Sequence, residues 1–257
     1  MNELINKTVF ITGASSGIGA ATARRFAQAQ SRLILCARRI DLLNELTDNL
    51  KKEFNVQIHH FPLDVQNADA VKNAIDNLPD HWRDIDILIN NAGLARGMSK
   101  LHEGDIKDWE EMIDTNLKGL LYISRAILPG MVTRNKGHII NLGSIAGHQV
   151  YPHGNVYCAT KFAVRGLTES LRSDLVGTDI RVSLISPGMV ETEFSQVRFH
   201  GDKHRAKSVY QGLKPLSGDD IADSIYYAAS APKHVNISEI IIMPVAQASV
   251  MLTNRKN

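Results

Sequence analysis

Cysteine is scarce in this sequence, which contains only Cys36 and Cys158. Two cysteines are too few for a framework of disulfide bonds, so we expect a protein of the reducing cytoplasm. Long apolar runs are missing as well. The most apolar stretch near the carboxyl terminus is interrupted by Glu239, Pro244 and Gln247, whereas a membrane-spanning helix needs about 18 apolar residues. We therefore expect no membrane span, and no targeting segment at the amino terminus either.

An excess of one sign of charge is also missing. Lysine and arginine number 29 against 27 aspartates and glutamates, which gives a net charge of +2. This balance argues against a surface built to bind nucleic acid. No set of His, Cys, Asp or Glu residues has the spacing of metal ligands, so we expect no metal site. With 44% hydrophobic and 22% charged residues among 257, the composition is that of a globular protein.

Short β-branched runs alternate with longer amphipathic runs along the whole chain. This alternation predicts one α/β domain, 1–257, with a Rossmann-type, doubly wound parallel sheet of about seven strands and helices on both faces. The predicted strands are 7–12, 32–37, 57–61, 85–89, 137–142, 180–185 and 238–242. The predicted helices are 18–30, 42–53, 68–78, 109–134, 154–176 and 219–229.

The longest stretch without a regular pattern is 188–214. A connection of this length is uncommon in a compact domain unless it covers a binding site. We therefore predict that residues 188–214 form a substrate lid.

A glycine-rich turn follows the first predicted strand and leads into a helix. It runs from Thr12 through Gly13, Ala14, Ser15, Ser16, Gly17 and Ile18 to Gly19. Glycines let the backbone turn tightly and approach a pyrophosphate, which binds the amides at the helix amino terminus. The spacing is GxxxGxG, so the general dinucleotide fingerprint fits only loosely, and the alternative is an ordinary turn. Its place after the first strand favours a nucleotide site.

Two arginines, Arg38 and Arg39, stand at the end of the second predicted strand. A dinucleotide fold meets the adenosine ribose there and uses an acid for NAD or an arginine for the 2′-phosphate of NADP. No acid stands at this strand end, so the sequence predicts NADP, with Arg38 as the main phosphate contact and Arg39 as a helper. The alternative is that both arginines are only solvated residues at the start of a helix.

Tyr157 and Lys161 lie four residues apart in a predicted helix and therefore share one face. An ammonium group near a phenol lowers the phenol pKa, which is about 10 when unperturbed. Tyr157 could then exchange a proton with an alcohol or carbonyl. Ser144, beyond the strand 137–142, is placed to hydrogen-bond the reacting oxygen. A YxxxK pattern alone is weak, because it often arises by chance on exposed helices.

The combination of motifs is specific, and it resembles the short-chain dehydrogenase/reductase family over essentially the whole chain. The elements occur in the family's order: the glycine-rich turn, Asn90-Asn91-Ala92-Gly93, Asn116, Ser144, Tyr157 with Lys161, and Pro187-Gly188. The resemblance implies that Tyr157 is the catalytic acid/base, that Ser144 orients the substrate oxygen and that Lys161 holds the nicotinamide ribose and tunes Tyr157. Asn116 would support a water-linked proton relay to Lys161.

The resemblance also implies the cofactor contacts. Asp64 and Val65 would meet the adenine, and Asn91, Ala92 and Gly93 the adenosine ribose. Val190 and Thr192 would meet the nicotinamide, beside Pro187 and Gly188. The family's members are commonly homotetramers, so we expect a homotetramer here, with the tail 244–257 at a subunit interface.

Within the family, the sequence is similar to the NADP-dependent 3-hydroxy acid dehydrogenase subgroup. The similarity rests on Asn91-Ala92-Gly93-Leu94-Ala95, on the run 109–119, on 196–202 and on the tail segments 234–237 and 243–245. Arg198 lies in the predicted lid and could bind a substrate carboxylate, the alternative being a lid or interface ion pair. His148 could form a polar wall of the substrate pocket, or it could be a solvated loop residue.

The resulting prediction is a cytoplasmic NADP-dependent dehydrogenase of short 3-hydroxy acids such as serine, L-allo-threonine or 3-hydroxyisobutyrate, or a reductase of the corresponding semialdehydes. One alternative is a general carbonyl reductase with no need for a carboxylate. The other is a cofactor-sensing regulator without catalysis, which would have no use for the intact Ser144, Tyr157 and Lys161.

Overall fold

The protein is described by a computed structural model that covers residues 4–256, and strands and helices alternate along it. The strands are β1 (Thr8–Thr12), β2 (Arg32–Ala37), β3 (Ile58–Pro62), β4 (Ile87–Asn90), β5 (Gly137–Leu142), β6 (Ile180–Pro187) and β7 (Glu239–Ile242). The helices are α1 (Gly17–Gln28), α2 (Ile40–Phe54), α3 (Ala68–Asp76), α4 (Ile106–Ile113), α5 (Leu120–Thr133), α6 (Asn155–Asp174), α7 (Phe194–Arg198), α8 (Lys203–Ser208) and α9 (Gly218–Ser230).

All seven strands belong to one sheet in the order β3-β2-β1-β4-β5-β6-β7, and every neighbouring pair is parallel. The predicted α/β fold with a seven-stranded parallel sheet is confirmed. The strand order reverses between β1 and β4, which pair Phe10 with Leu88. Ligands bind at such a reversal, in the crevice outside the carboxyl ends of the strands.

Alternate residues of each central strand enter two separate cores, one on each face of the sheet. In β1, Val9 and Ile11 pack with α1, α2 and α9, whereas Phe10 packs with α3 and α5 on the opposite face. All three are fully buried. This burial on both faces explains why the strands are apolar almost throughout.

The predicted helix 109–134 is not one continuous α-helix. The chain forms α4, then a π-helical segment at Asp114–Gly119, and then α5. Apolar periodicity runs through the whole region and does not reveal the wider turn. At this turn Gly119 lies against Val65, and a β-carbon at position 119 would lie 3.1 Å from the β-carbon of Val65. The wider turn buries Thr115 and Asn116 toward the carboxyl ends of the strands.

The stretch 188–214 contains more regular structure than its sequence indicates, because α7 and α8 lie within it. Its two ends are held together by a parallel bridge between Val190 and Leu216. The amide of Leu216 donates to the Met189 carbonyl at 2.9 Å, and the amide of Glu191 donates to the Leu216 carbonyl at 2.8 Å.

Candidate active site

One cleft at the carboxyl ends of the strands brings together almost every residue that the sequence singled out. The predicted cofactor and catalytic residues that line it are Gly13, Ser15, Ser16, Gly17, Ile18, Gly19, Arg38, Arg39, Asp64, Val65, Asn91, Ala92, Gly93, Ser144, Tyr157, Lys161, Pro187, Gly188, Val190 and Thr192. Asn116, His148 and Arg198 are not among the lining residues.

The glycine-rich turn connects β1 to α1 at one end of this cleft. Gly13 and Gly17 have φ values of +63° and +55°, a backbone conformation that L side chains rarely adopt. A β-carbon on Gly13 would lie 2.9 Å from the Cα of Ala92, and one on Gly19 would collide with the Gly13 carbonyl oxygen. The turn therefore packs backbone against backbone and leaves the first amides of α1 without side-chain cover, as a pyrophosphate site requires.

Asn91 and Thr12 hold this turn in place. The Asn91 Nδ2 donates to the carbonyl oxygens of Thr12 and Gly13 at 2.8 and 3.1 Å. The Thr12 hydroxyl accepts from the amides of Asn91 and Ala92 at 3.0 and 2.9 Å. Asn91 therefore binds the turn itself and fixes the distance between β1 and β4, the two strands between which the strand order reverses.

Arg38 and Arg39 lie beside the glycine-rich turn, where the sequence predicts the adenosine phosphate. Arg39 donates through Nη2 to the Ser16 hydroxyl and, at 2.8 Å, to the Glu193 carboxylate. Arg38 contacts Glu111 at 3.5 Å. Both arginines are about half exposed, and both line the cleft. Two guanidinium groups in this position fit an anionic ligand.

Ser144, Tyr157 and Lys161 meet at the other end of the cleft. Ser144 precedes a short 3₁₀ turn and its hydroxyl accepts from the Ala146 amide at 3.1 Å. The Tyr157 phenol hydrogen-bonds to Ser144. Lys161, one turn further along α6, donates through Nζ to the Leu142 carbonyl at 2.8 Å and lies 5.9 Å from the Tyr157 ring centre. This is the arrangement of a proton-transferring group and its neighbours.

Burial raises the pKa of Tyr157 well above its usual value, and the charge of nearby Tyr151 raises it further. The hydrogen bond from Ser144 and the guanidinium of Arg198 act in the opposite direction but do not outweigh burial. The sequence predicts a lowered pKa, so this expectation is wrong for the chain by itself. Burial also lowers the pKa of the Lys161 ammonium to about 8, because the charged form is poorly solvated.

Asn116 lies in the π-helical segment, behind the cleft and 2% exposed. It accepts from the amide of Leu94 and donates to the carbonyl of the same residue, both at 2.8 Å, and it also donates to Thr160 at 3.1 Å. A β-carbon on Gly93 would lie 3.3 Å from the Asn116 Oδ1 and 3.7 Å from the Lys161 Nζ. Asn116 thus fixes the backbone after β4 beside Lys161.

Arg198, at the end of α7, lies near Tyr157. It donates to the Gly97 carbonyl at 3.0 Å and to the Tyr151 hydroxyl at 2.8 Å, and its guanidinium carbon lies 5.8 Å from the Tyr157 ring centre. Arg198 has no carboxylate partner among residues 4–256. The alternative of an ion pair within the lid therefore does not describe it.

His148 does not form a wall of the pocket, because its ring is bound elsewhere. Its Nε2 pairs at 2.6 Å with Glu239 on β7, whose same oxygen accepts from the Ser186 hydroxyl at 2.7 Å. The ring is therefore engaged at the sheet edge, below the turn that follows Ser144. Neither the alternative of a solvated loop residue nor that of a substrate contact describes it.

Sequence reasoning missed four residues around the cleft: Arg96, Glu111, Tyr151 and Glu193. Arg96 binds Glu111 through Nε at 2.7 Å and Nη2 at 3.1 Å, and it donates to the Val197 carbonyl at 2.6 Å. Glu193 reaches Arg39 across 154 positions of the chain. The only signal in the sequence is the position of Arg96 and Glu193 immediately beside recognised motif residues, Ala95 and Thr192.

No helix within residues 4–256 is long and apolar enough to cross a membrane. The same range contains no group of three or more His, Cys, Asp or Glu side chains arranged to hold a metal ion.

The comparison with known families matches residues 7–203 to the short chain dehydrogenase model. The chain belongs to this family. The predicted resemblance is therefore confirmed, and it extends to the named subgroup. NADP-dependent 3-hydroxy acid dehydrogenase YdfG of Shigella flexneri is 48% identical over 241 residues, 93% of this chain and 96% of that protein. Serine 3-dehydrogenase of Agrobacterium fabrum is 45% identical over 241 residues, with 94% and 95% covered.

Solved structures point in the same direction. The closed form of a serine dehydrogenase complexed with NADP⁺ superposes with a TM-score of 0.91 at 46% identity, over 97% of this chain and 100% of the other. Serine dehydrogenase from Escherichia coli gives a TM-score of 0.81 at 44% identity, with 94% and 99% covered.

Proposed function

We propose that this member of the short chain dehydrogenase family is an NADP-dependent oxidoreductase that acts on short 3-hydroxy acids. Its substrates would be serine, L-allo-threonine, 3-hydroxyisobutyrate or the corresponding semialdehydes. The observation that carries the choice of substrate is the position of Arg198, whose guanidinium lies 5.8 Å from the Tyr157 ring centre. The names of the relatives at 45–48% identity support the same class.

Arg198 would bind the substrate carboxylate. A guanidinium group has five N–H donors, and Arg198 uses its Nε and one Nη1 donor on Gly97 and Tyr151. The remaining donors can form charge-assisted hydrogen bonds to a carboxylate, which are roughly twice as strong as neutral ones. The two bonds already made keep the guanidinium beside Tyr157.

Two observations support NADP as the ligand of the cleft. Backbone packs against backbone at Gly13 and Gly19, where a β-carbon would fill the space beside the α1 amino terminus. Two guanidinium groups, Arg38 and Arg39, lie at the adenosine end. Asp64, Val65 and the residues 91–93 would hold the adenosine, and Pro187, Gly188, Val190 and Thr192 would hold the nicotinamide, whose C4 accepts or supplies the hydride when the cofactor is bound.

Tyr157 would move the hydroxyl proton. Its raised pKa keeps the phenol protonated at neutral pH, which is the form that donates to a carbonyl oxygen during reduction. For oxidation the phenolate must form, and the cationic Lys161 and Arg198 would stabilise it. Ser144 would orient the reacting oxygen, and Asn116 would support Lys161 from behind the cleft through the backbone of Leu94.

The test is a substrate profile followed by absorbance at 340 nm. Purified protein would be assayed with L-serine, L-allo-threonine, 3-hydroxyisobutyrate and an uncharged secondary alcohol, each with NADP⁺ and with NAD⁺. We expect turnover of the acids with NADP⁺ and little with the alcohol. Turnover of the alcohol alone would support the general carbonyl reductase, and binding of NADPH without any turnover would support the cofactor-sensing regulator.

We also propose that the protein is a homotetramer of the cytoplasm. The tail 244–257 and the neighbouring edge strand β7 carry exposed apolar side chains, namely Ile241, Val245, Met251 and Leu252, as expected of a surface that another subunit covers. Both cysteines are buried, free thiols, which fits a reducing compartment.

Light scattering tests the assembly. We expect four times the 28.4 kDa chain mass and a smaller particle for Leu252→Glu, since a charge is poorly tolerated in an apolar interface. A wild-type protein of single-chain mass would rule out the tetramer.

A further inference from the structure

An acidic residue of the segment beside the cleft is hydrogen-bonded to one of the two arginines of the proposed phosphate site. Glu193 accepts from Arg39 Nη2 at 2.8 Å. The Ser16 hydroxyl of the glycine-rich turn accepts from the same nitrogen of Arg39 and also contacts the Glu193 carboxylate. Arg39, Ser16 and Glu193 all line the cleft. The carboxylate therefore lies where an anionic ligand at this end of the cleft would approach.

The neighbouring pair, Arg38 and Glu111, behaves differently. Glu111 is bound through both oxygens by Arg96, and its contact with Arg38 is long, at 3.5 Å. Glu111 therefore has a strong partner of its own, and Arg38 is only loosely engaged. Glu193 is 48% exposed, and Arg39 is its partner among the ion pairs within residues 4–256. Of the two acids, Glu193 is the one that competes for a phosphate-binding arginine.

We propose that Glu193 competes with the 2′-phosphate of the cofactor for Arg39, so that it sets the affinity of the protein for NADP(H) without affecting NAD(H). The proposal rests on the proposed NADP dependence. A phosphate monoester carries a charge between −1 and −2 and accepts through three oxygens, so it displaces a single carboxylate from a guanidinium group. The displaced carboxylate then stays close to the phosphate and repels it. NAD(H) has a 2′-hydroxyl in place of the phosphate and does not meet this competition.

The position of Glu193 gives the competition a structural consequence. Glu193 immediately precedes α7, and its bond to Arg39 ties the start of that helix to the adenosine end of the cleft. Arg39 would exchange this bond for one to the phosphate. The hydrogen bonds of Glu193 to Arg39 and to Ser16 also lower the pKa of its carboxyl group, so the competing group is the anion at neutral pH.

The experiment measures the dissociation constants of NADPH and NADH by nucleotide fluorescence, without turnover. The variants are Glu193→Gln and, as a matched control, Glu191→Gln, which removes the same charge two residues away. An exposed ion pair is weak and the like-charge repulsion adds to it, so we expect Glu193→Gln to bind NADPH about three- to tenfold more tightly. Binding of NADH should change by less than about twofold, and Glu191→Gln should leave both constants within about twofold of wild type.

The same change in an Arg39→Gln protein tests whether Arg39 is the group for which Glu193 and the 2′-phosphate compete. In Arg39→Gln protein only the like-charge repulsion between Glu193 and the phosphate remains, so the added Glu193→Gln change should tighten NADPH binding by clearly less than it does when Arg39 is present. A full gain in this background, or unchanged or weaker NADPH binding by Glu193→Gln alone, would overturn the inference. If the wild type shows no preference for NADPH over NADH, the proposed cofactor itself is wrong, which is a separate result.

Discussion

Tyr157 combines two environments that act in opposite directions on its phenol. Its ring is buried and packs edge-on against Phe194 with 5.6 Å between ring centres. Burial disfavours the phenolate, whereas Arg198 and the hydrogen bond to Ser144 favour it. The result is a phenol whose pKa is raised in the protein by itself, although the Lys161 Nζ lies 5.9 Å from the ring centre.

Replacing Tyr157 by phenylalanine removes the proton donor and keeps the packing against Phe194. We expect kcat to fall by about 10²–10⁴-fold, the usual contribution of a positioned acid or base. The dissociation constant of NADPH should stay within about twofold of wild type, because the ring still fills its site. Stopped-flow and fluorescence titration measure the two quantities. Turnover within tenfold of wild type would rule out Tyr157 as the acid/base.

Arg198 is tested by comparing charged with uncharged substrates. In Arg198→Ala, we expect KM for a 3-hydroxy acid to rise by about 10–100-fold, since a charge-assisted hydrogen bond contributes about 1.5–3 kcal/mol. KM for an uncharged secondary alcohol should change much less. Arg205→Ala is the control, because Arg205 lies in the same segment and stacks on Phe199 at 4.4 Å. Equal effects of Arg198→Ala on both substrates would remove the carboxylate role.

At the scale of elements, the segment 188–214 is attached to the loop that follows β4. The amide of Gly97 donates to the Arg198 carbonyl at 2.9 Å, and the Arg198 Nε donates back to the Gly97 carbonyl at 3.0 Å. Arg96 adds its bond to the Val197 carbonyl, and His200 contacts Asp108 at 3.2 Å. The contacts hold α7 beside Tyr157, on which Phe194 of α7 packs.

Arg96 contributes to this attachment, because it joins Glu111 on α4 to the carboxyl end of α7. In Arg96→Met we expect faster amide hydrogen exchange in 194–208 by about tenfold, since about 1–2 kcal/mol of local stability is lost. Strand β5 should exchange as in wild type. Mass spectrometry after peptic digestion measures both regions.

Lys207→Met serves as the control for Arg96→Met, because Lys207 is an exposed cation of α8 in the same region. Unchanged exchange of 194–208 in Arg96→Met would mean that the attachment rests on the remaining contacts.

The π-helical segment marks a limit of pattern reading at the same scale. The apolar pattern of 109–134 correctly predicts helical structure, but it does not distinguish a π-helical turn from an α-helical one. Tertiary contacts place the turn at Asp114–Gly119. Gly119 must approach Val65, and Asn116 must reach both the amide and the carbonyl of Leu94.

At the scale of the whole molecule, burying the Lys161 cation opposes folding. Its pKa is lowered to about 8 from the ordinary 10.5. Between these two values the unfolded chain binds more protons than the folded one, so the free energy of unfolding rises with pH in this window. Below pH 8 the protein carries the whole penalty of the buried charge.

Lys161→Met abolishes this dependence. We expect the variant's stability relative to wild type to be greatest at pH 7.5 and to decrease toward pH 9.5, with a slope of at most about 1.4 kcal/mol per pH unit. Urea unfolding at several pH values measures the difference, with Lys100→Met as the exposed control. A difference between Lys161→Met and wild type that does not change with pH would show that Lys161 has the same pKa in the folded and unfolded protein, and that burial does not lower it.

The sequence alone determined the sheet, because strands buried on both faces must be apolar throughout, and the alternation of β1 through β7 with helices leaves few topologies. It also determined the turn of Gly13 and Gly17 and the pair Tyr157–Lys161, since each depends on neighbours within a few positions of the chain.

Tertiary structure decided whatever depends on residues far apart in the chain. It brought Glu193 to Arg39, engaged His148 with Glu239, and placed Arg198 beside Tyr157. It also decided the pKa of Tyr157, because the free energy of ionisation depends on how much water the whole fold excludes, which no local pattern contains.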